Sequence, residues 1–180
     1  PTVPMRFEPN VGQHPDDVLF VGTGAGYELR ITVAGLEAHG ASGPIHLIVP
    51  GADWSGAHGD EPRGSFSNYL SGPESQWRMQ VPHFGRIQVP GILPGIDALV
   101  YVEPSGGLEF DLVVAPGADP GSFSLLVKDG TWTLEGGNAV AHAGAAALLL
   151  QAPVAFQGDH DIASRFAVAG NALSFALGAY

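Results

Sequence analysis

Three carboxylates in one stretch of the chain have the residue type and spacing of a chemical site. Asp97, Glu109 and Asp111 lie in "LPGIDALVYVEPSGGLEFDLVVAPGADP", residues 93–120, around two short apolar runs. The apolar residues of "LEFDL" alternate with the two acidic ones, so in a strand Glu109 and Asp111 project together from the opposite face. Strand geometry places these two carboxylates about 7 Å apart.

Two kinds of chemistry use such a pair. A separation near 7 Å is close to that of glycosidase carboxylate pairs, and oxygen ligands of this type also bind calcium. The sequence therefore predicts a calcium or other hard-cation site at Asp97, Glu109 and Asp111, with no catalytic residue assigned. The commoner alternative, the solvated face of a strand, stays open.

Three other motifs suggest chemistry at first sight. The glycines of "VLFVGTGAGYEL" (18–29) resemble a dinucleotide fingerprint, but a strand pattern follows where a helix is needed, which favours a hairpin turn. Ser55, His58 and Asp60 are too close in sequence for a catalytic triad and are expected to be solvated. "GDHD" (158–161) is expected to be a turn between two strands.

Four aromatic residues lie near loop-rich sequence. Trp54, Tyr69, Trp77 and Phe84 could form a sugar-stacking or partner-binding surface. Aromatic side chains are also common at the edge of a core, and that is the default expectation for these four.

The elements that must position these residues are short strands. "YELRITV" (27–33) alternates apolar and polar residues with the period of a half-buried strand, and similar runs recur between Gly, Pro, Asn and Asp clusters. Residues 51–66 have no period and are predicted to form a long surface loop. Residues 139–151 are alanine-rich, but Gly144 interrupts them, so a hairpin turning near Gly144 is predicted.

Composition limits the fold and the partners. The 180 residues fit a single domain, residues 1–180, and 26 Gly and 15 Pro with 14% charged residues favour turns over long helices. We expect an all-β fold, a large antiparallel β-sandwich with long loops and little helix. The net charge of -11, with Lys128 as the single lysine, disfavours nucleic acid and anionic membranes.

The remaining composition bears on processing and redox chemistry. The chain has no cysteine, which excludes disulfides and thiolate sites. No apolar run is long enough for membrane insertion. Because the sequence starts at Pro1, we interpret it as a processed or trimmed product.

Three blocks carry a family resemblance. "RFEPNVGQ" (6–13), "FSNYLSGPESQWRMQVPHFGRI" (66–87) and the stretch 93–120 resemble the N-terminal domain of bacterial cell-surface proteins that carry SBBP-type β-propeller repeats. The resemblance runs in order across nearly the whole chain. It implies a secreted or cell-surface location in a bacterium, and it implies no biochemical activity.

Two classes of function follow. The first is a non-catalytic extracellular structural or interaction module with a protein or glycan partner at the cell surface. The alternative is a glycan-directed module, lectin-like or glycoside-active, that uses the acidic residues with nearby aromatics. Calcium is the only cofactor expected.

The C-terminal strand raises the prospect of self-assembly. The resembled family continues into a further strand after "FALGAY" (175–180), so residues 172–179 are predicted to expose an open sheet edge. The edge is either completed within the chain, by the N-terminal "PTVPMRFE" (1–8) for example, or paired by strand addition in a homo-oligomer.

Overall fold

The protein is an all-β fold. The computed structural model describes residues 5–24, 26–103 and 107–179, and nearly all of its regular structure is strand. The only helical elements in these residues are two single-turn 3-10 helices, Glu74–Gln76 and Pro120–Ser122. The strands are β1 (Arg6–Pro9), β2 (Val18–Gly24), β3 (Tyr27–Thr32), β4 (Gly35–Gly40), β5 (Gly43–Ile48), β6 (His58–Tyr69), β7 (Arg78–Leu93), β8 (Ile96–Val102), β9 (Leu108–Val114), β10 (Ser124–Val127), β11 (Thr131–Glu135), β12 (Asn138–Ala143), β13 (Ala146–Leu150), β14 (Ala155–Gln157), β15 (His160–Ile162), β16 (Ser164–Ala169) and β17 (Ala172–Leu177).

Fifteen of the strands form one sheet, and β14 and β15 form a separate hairpin. The order in the large sheet is β11-β12-β13-β9-β8-β7-β1-β2-β3-β4-β5-β10-β17-β16, and β6 pairs with the free side of β7. Every pairing is antiparallel except that of β13 with β9, which joins Leu150 to Leu108. The sheet folds over on itself, since β12 and β13 pack against β5, and β11 packs against β16 and β17. This two-layered arrangement confirms the predicted antiparallel sandwich.

The space between the layers is filled by one hydrophobic core. Its largest fully buried side chains include Trp54, Phe7 and Phe123. The ring of Phe123 packs against Phe110 and Phe175, at centroid distances of 6.1 and 5.9 Å. Burying an aromatic side chain of this size contributes roughly 2–3 kcal/mol, so these rings are a main source of the attraction between the layers.

β7 is the longest strand and positions the elements around it. Alternate residues from Val81 to Val89 are buried, as expected of a strand with one face on the core. One edge of β7 pairs first with β1 at Phe84 and then with β8, and the opposite edge pairs with β6. β7 therefore brings β1, from the start of the chain, together with its own sequence neighbours β6 and β8.

The predicted loop at 51–66 is wrong over most of its length. β6 starts at His58 and pairs with β7 from Gln88 back to Arg78. Most side chains of β6 are exposed or half-buried on both faces. A strand without a buried face has no reason to alternate, and this is why its sequence has no period.

Several predicted turns are confirmed. The segment 139–151 forms the β12–β13 hairpin, and Gly144 adopts a φ of +58° in its turn. The glycine-rich run after β2 forms the β2–β3 hairpin; Ala25, within it, lies outside the described residues. "GDHD" spans the β14–β15 turn. The Pro104–Gly106 part of the turn between β8 and β9 also lies outside the described residues.

The open edge predicted at 172–179 is filled only in part. β16 pairs with β17 along its whole length, whereas β10 pairs on the other side with Ala172, Leu173 and Ser174 alone. The N-terminal segment does not supply the missing partner, since β1 pairs with β2 and β7; residues 1–4 lie outside the described residues. No helix among the described residues has the length and apolar character needed to cross a membrane.

Candidate functional site

The far end of the β6–β7 hairpin, residues 62–82, extends beyond the buried part of the sheet, and we call it the arm. Its base is held by five side chains that we call the polar clamp. The clamp consists of Glu8 on β1, Ser65, Ser67 and Tyr69 on β6, and His83 on β7.

Glu8 is the acceptor at the centre of the clamp. Ser67 Oγ donates to Glu8 Oε1 at 2.9 Å, and Tyr69 Oη donates to Glu8 Oε2 at 2.7 Å. β1 has two consecutive buried residues, because Phe7 enters the core on one face while Glu8 lies under the arm on the other. Both carboxylate oxygens therefore have a donor although only 5% of Glu8 is exposed.

His83 extends the network toward the surface. Its Nε2 lies 2.8 Å from Ser67 Oγ and 3.4 Å from Glu8 Oε1, and its Nδ1 lies 2.8 Å from Ser65 Oγ. The single proton of Ser67 is used toward Glu8, so the serine oxygen can only accept from Nε2. Nε2 therefore carries the proton of the neutral imidazole, Nδ1 is an acceptor, and Ser65 donates to it.

The burial of the clamp affects its ionisation. Burial raises the pKa of Tyr69 to about 12, and the hydrogen bond and charge of Glu8 act in the same direction. Tyr69 therefore keeps its proton and stays a donor. His83 is as buried as Glu8, at 5% exposure, whereas Ser65 is exposed to solvent.

The turn after β1 braces the same region. Asn10 Nδ2 donates to the carbonyl oxygens of Pro15 and Val18, at 2.8 and 2.9 Å, which fixes the turn. Arg78 Nε, at the start of β7, donates to Val11 O at 2.6 Å. The arm is therefore attached to β1 and its turn by hydrogen bonds as well as by the β6–β7 ladder.

The arm exposes apolar side chains, one within the clamp segment and three beyond it, which we call the apolar tip. The tip consists of Phe66, Leu70, Trp77 and Met79, which are 55, 56, 37 and 58% exposed. Trp77 is fixed in orientation by a hydrogen bond of 3.2 Å from its Nε1 to Gly72 O. Large apolar side chains grouped at the end of a protruding element are typical of interaction sites.

The predicted acidic site occupies another part of the sheet. Glu109 and Asp111 share the solvent-facing side of β9, as predicted, and Tyr101 Oη donates to both oxygens of Asp111 at 3.2 Å. Burial, followed by the charges of Glu103 and Asp111, raises the pKa of Glu109. The carboxylates therefore repel one another on a largely open face.

Asp97 has a separate structural role. Its Oδ1 accepts a hydrogen bond of 2.6 Å from the backbone N–H of Gly91, at the irregularity where β7 pairs with β8. Across residues 5–24, 26–103 and 107–179, no group of three or more His, Cys, Asp or Glu residues is arranged to hold a metal ion. A calcium site at Asp97, Glu109 and Asp111 thus stays a prediction that the described geometry does not favour.

The other candidates are dispersed. Asp60 Oδ2 pairs with Arg86 Nε at 2.7 Å, and His58 Nδ1 lies 3.1 Å from Gly56 O, so these two side chains have hydrogen-bond partners other than Ser55. Of the four aromatics, Trp54 is 1% exposed and belongs to the core, as expected by default. Phe84 is half-buried against the core, whereas Tyr69 and Trp77 belong to the arm.

Sequence reasoning missed Glu8, Ser65, Ser67 and His83 as a group. Glu8 and Ser67 are 59 residues apart, so nothing local joins them. One signal was available: along β7 the inward positions are apolar or glycine except for His83. A polar residue at an inward position of a strand requires a buried partner.

Comparison with known proteins adds a family. The chain belongs to a family described as a domain of unknown function (DUF7948), whose profile matches residues 7–180. No curated protein matches the chain. No solved structure matches it either.

Proposed function

We propose that the domain is an extracellular interaction module of a bacterial cell-surface protein, and that the arm presents its apolar tip to a protein partner. The observation that carries this proposal is the exposure of Phe66, Leu70, Trp77 and Met79 on one hairpin whose base is fixed. The resemblance to N-terminal domains of SBBP-repeat proteins supports the location.

The contacts at the base of the arm support binding rather than a disordered loop. A partner gains most from apolar side chains that are already positioned, because less conformational entropy is lost on binding. The clamp and the Arg78 contact with Val11 supply this preorganisation. Aromatic side chains such as Trp77 are also enriched among residues that dominate binding energies.

Charge narrows the choice of partner. The chain carries a net charge of -11, so a partner with an apolar groove and a neutral or basic rim would meet the least repulsion. Nucleic acid and anionic lipid are disfavoured by the same charge.

The glycan-directed alternative has support of its own. Tyr101 lies against Asp111, and Glu109 has a raised pKa beside it. An aromatic ring beside carboxylates suits carbohydrate. The two proposals use different surfaces, the apolar tip and the outer face of β8 and β9, and can be separated by mutation.

The test compares two double variants of the whole chain. Phe66→Ser/Trp77→Ala removes two residues of the tip, and Leu134→Ser/Leu149→Ser removes two apolar residues of similar exposure elsewhere. We expect the wild type and the second variant to bind the envelope fraction of the source bacterium, and the first to lose at least about tenfold in affinity, since two hot-spot side chains contribute more than about 1.4 kcal/mol.

Two controls make the result specific. Thermal melts should show that both variants are folded, although Trp77→Ala loses the hydrogen bond to Gly72 O and some stability with it. Protease treatment of the envelope should abolish binding if the partner is a protein. Binding that survives protease and depends on Tyr101 and Asp111 would instead support the glycan-directed alternative, and equal binding by both variants would contradict the role of the tip.

A further inference from the structure

The polar clamp contains ionisable groups that a purely structural attachment of the arm would not require. A buried carboxylate is costly unless it is paired, and Glu8 has two neutral hydroxyl donors as its hydrogen-bond partners. An apolar or amide side chain could fill the same space at lower cost. The clamp nevertheless places this carboxylate 3.4 Å from an imidazole.

The network is directional and ends at the surface. The donors run from Ser65 Oγ to His83 Nδ1, from His83 Nε2 to Ser67 Oγ, and from Ser67 Oγ to Glu8. Ser65 is exposed, and it lies in a β6 bulge, since the pairing with β7 passes from Pro62 directly to Phe66. The accessible Ser65 hydroxyl is therefore the outermost group of a hydrogen-bond network whose inner groups, His83 and Glu8, are buried.

We propose that Ser65 is an activated nucleophile, that His83 is its general base, and that the site transfers acyl groups from carboxylic esters. Serine, base and carboxylate define this class of site by their roles and distances and not by their order in the sequence. Glu8 and Ser67 are positioning residues, because they act through His83. The activity goes beyond the interaction role proposed above and does not depend on it.

The reaction needs no co-reactant besides water. Ser65 Oγ forms a bond to the ester carbonyl carbon while its proton moves to His83 Nδ1. The C–O bond to the alcohol then breaks, and the leaving oxygen takes the proton from Nδ1, which leaves an acyl-Ser65. Water attacks this ester with His83 again as the base, and the carboxylic acid and the original Ser65 hydroxyl are regenerated.

Glu8 has a defined task in these steps. When His83 accepts the proton it becomes a cation, and the carboxylate at 3.4 Å stabilises that cation in a site from which water is largely excluded. Ser67 keeps the proton of the neutral imidazole on Nε2, so that Nδ1 is free to accept. The openness of Ser65 suits an ester carried on a large or extended substrate.

The probe is a fluorophosphonate, which reacts with activated serines: the Ser65 O–P bond forms, the P–F bond breaks, and fluoride and a proton leave. Intact-mass spectrometry and peptide mapping of the whole chain should show one adduct, on Ser65. Ser65→Ala should abolish it, and Ser55→Ala, which alters an exposed serine outside the clamp, should leave it unchanged.

Variants of the base and of the positioning residue complete the test. His83→Gln keeps hydrogen-bonding groups on both sides and should slow labelling by about 10²-fold or more, the usual contribution of a general base. Glu8→Gln removes the charge that stabilises the cationic His83 formed during the reaction and should slow labelling, whereas Glu8→Asp, which keeps the charge, should restore part of the rate. A role that is only structural would not make the rate follow the charge.

The proposal is overturned if folded wild type carries no adduct on Ser65, or if His83→Gln is labelled at the wild-type rate. Folding of each variant is checked by thermal melting. Ser65→Ala also removes the hydrogen bond to His83 Nδ1, so loss of the adduct in that variant supports the assignment when its melt shows that the fold is retained.

Discussion

Glu37 on β4 lies between two histidines on the outer face of the sheet. Its carboxylate oxygens lie 3.1 Å from His39 Nε2 and 3.2 Å from His46 Nδ1. Partial burial acts to raise the pKa of Glu37, but the hydrogen bonds and charges of His39 and His46 outweigh it and lower the pKa below its ordinary value of 4.5. Ionised Glu37 therefore stabilises the folded state.

The sign of the pH dependence follows. A carboxyl group whose pKa is lower in the folded state contributes stability that is present above its unfolded pKa and is lost as the pH falls through its folded pKa. Glu37→Gln should therefore be less stable than the wild type by about 0.5–1 kcal/mol near pH 6. The expected effect is small because Glu37 is partly exposed and solvent screens its interactions with the histidines. The difference should shrink as the pH falls below about 4.5. Urea unfolding of both proteins at each pH measures the difference in their free energies of unfolding. A difference that does not change with pH would contradict a stabilising role for ionised Glu37.

At the scale of elements, the join between β7 and β8 depends on one side chain. Asp97 accepts from the N–H of Gly91, where the register of the two strands shifts between Val89 and Leu93. Gly91 has a φ of +60°, a conformation that glycine adopts without strain. The Asp97 carboxylate therefore accepts a hydrogen bond from the Gly91 N–H, which the irregular pairing of β7 with β8 leaves without a backbone partner.

We expect Asp97→Ala to lower the free energy of unfolding by about 1 kcal/mol, the usual effect of losing a side-chain acceptor for a backbone N–H. Asp111→Ala is the matched control, because Asp111 is exposed and accepts two long hydrogen bonds from Tyr101. It should change stability by less than about 0.5 kcal/mol. Chemical denaturation measures the free energy of unfolding of both variants. If Asp97→Ala is as stable as the wild type or more stable, the Asp97 carboxylate strains the fold.

The elements that the sequence predicts are those with one buried face. Apolar and polar residues alternate along β3 because Leu29 and Ile31 enter the core, so the sequence predicts this strand and the turns on either side of it. β6 has no buried face, so its residues resemble a loop until β7 is placed beside them. The polar clamp is harder to predict from the sequence than β6. Glu8 reaches its partners only because β1 pairs with β7, and no local pattern specifies that pairing.

At the scale of the whole molecule, β17 offers little edge for self-assembly, because β16 pairs along its whole length and β10 pairs with its first three residues. The free edge of β6 is interrupted by Pro62, by bulges and by charged residues such as Arg63, all of which discourage strand addition. We expect light scattering to give a mass near 18.6 kDa for this chain at high concentration. A larger, concentration-dependent mass would support self-assembly through a sheet edge.

The position of β1 has a consequence for how the chain is made. β1 is completed by β7, and the meander of β2 to β5 is completed by β10, which in turn needs β17. The tenth strand, β10, must therefore be made before β5 finds its second partner, and β17 must be made before β10 finds its own. Pairings between such distant segments are slow to form, so β5 and then β10 each keep one open edge during folding until the later strand is in place.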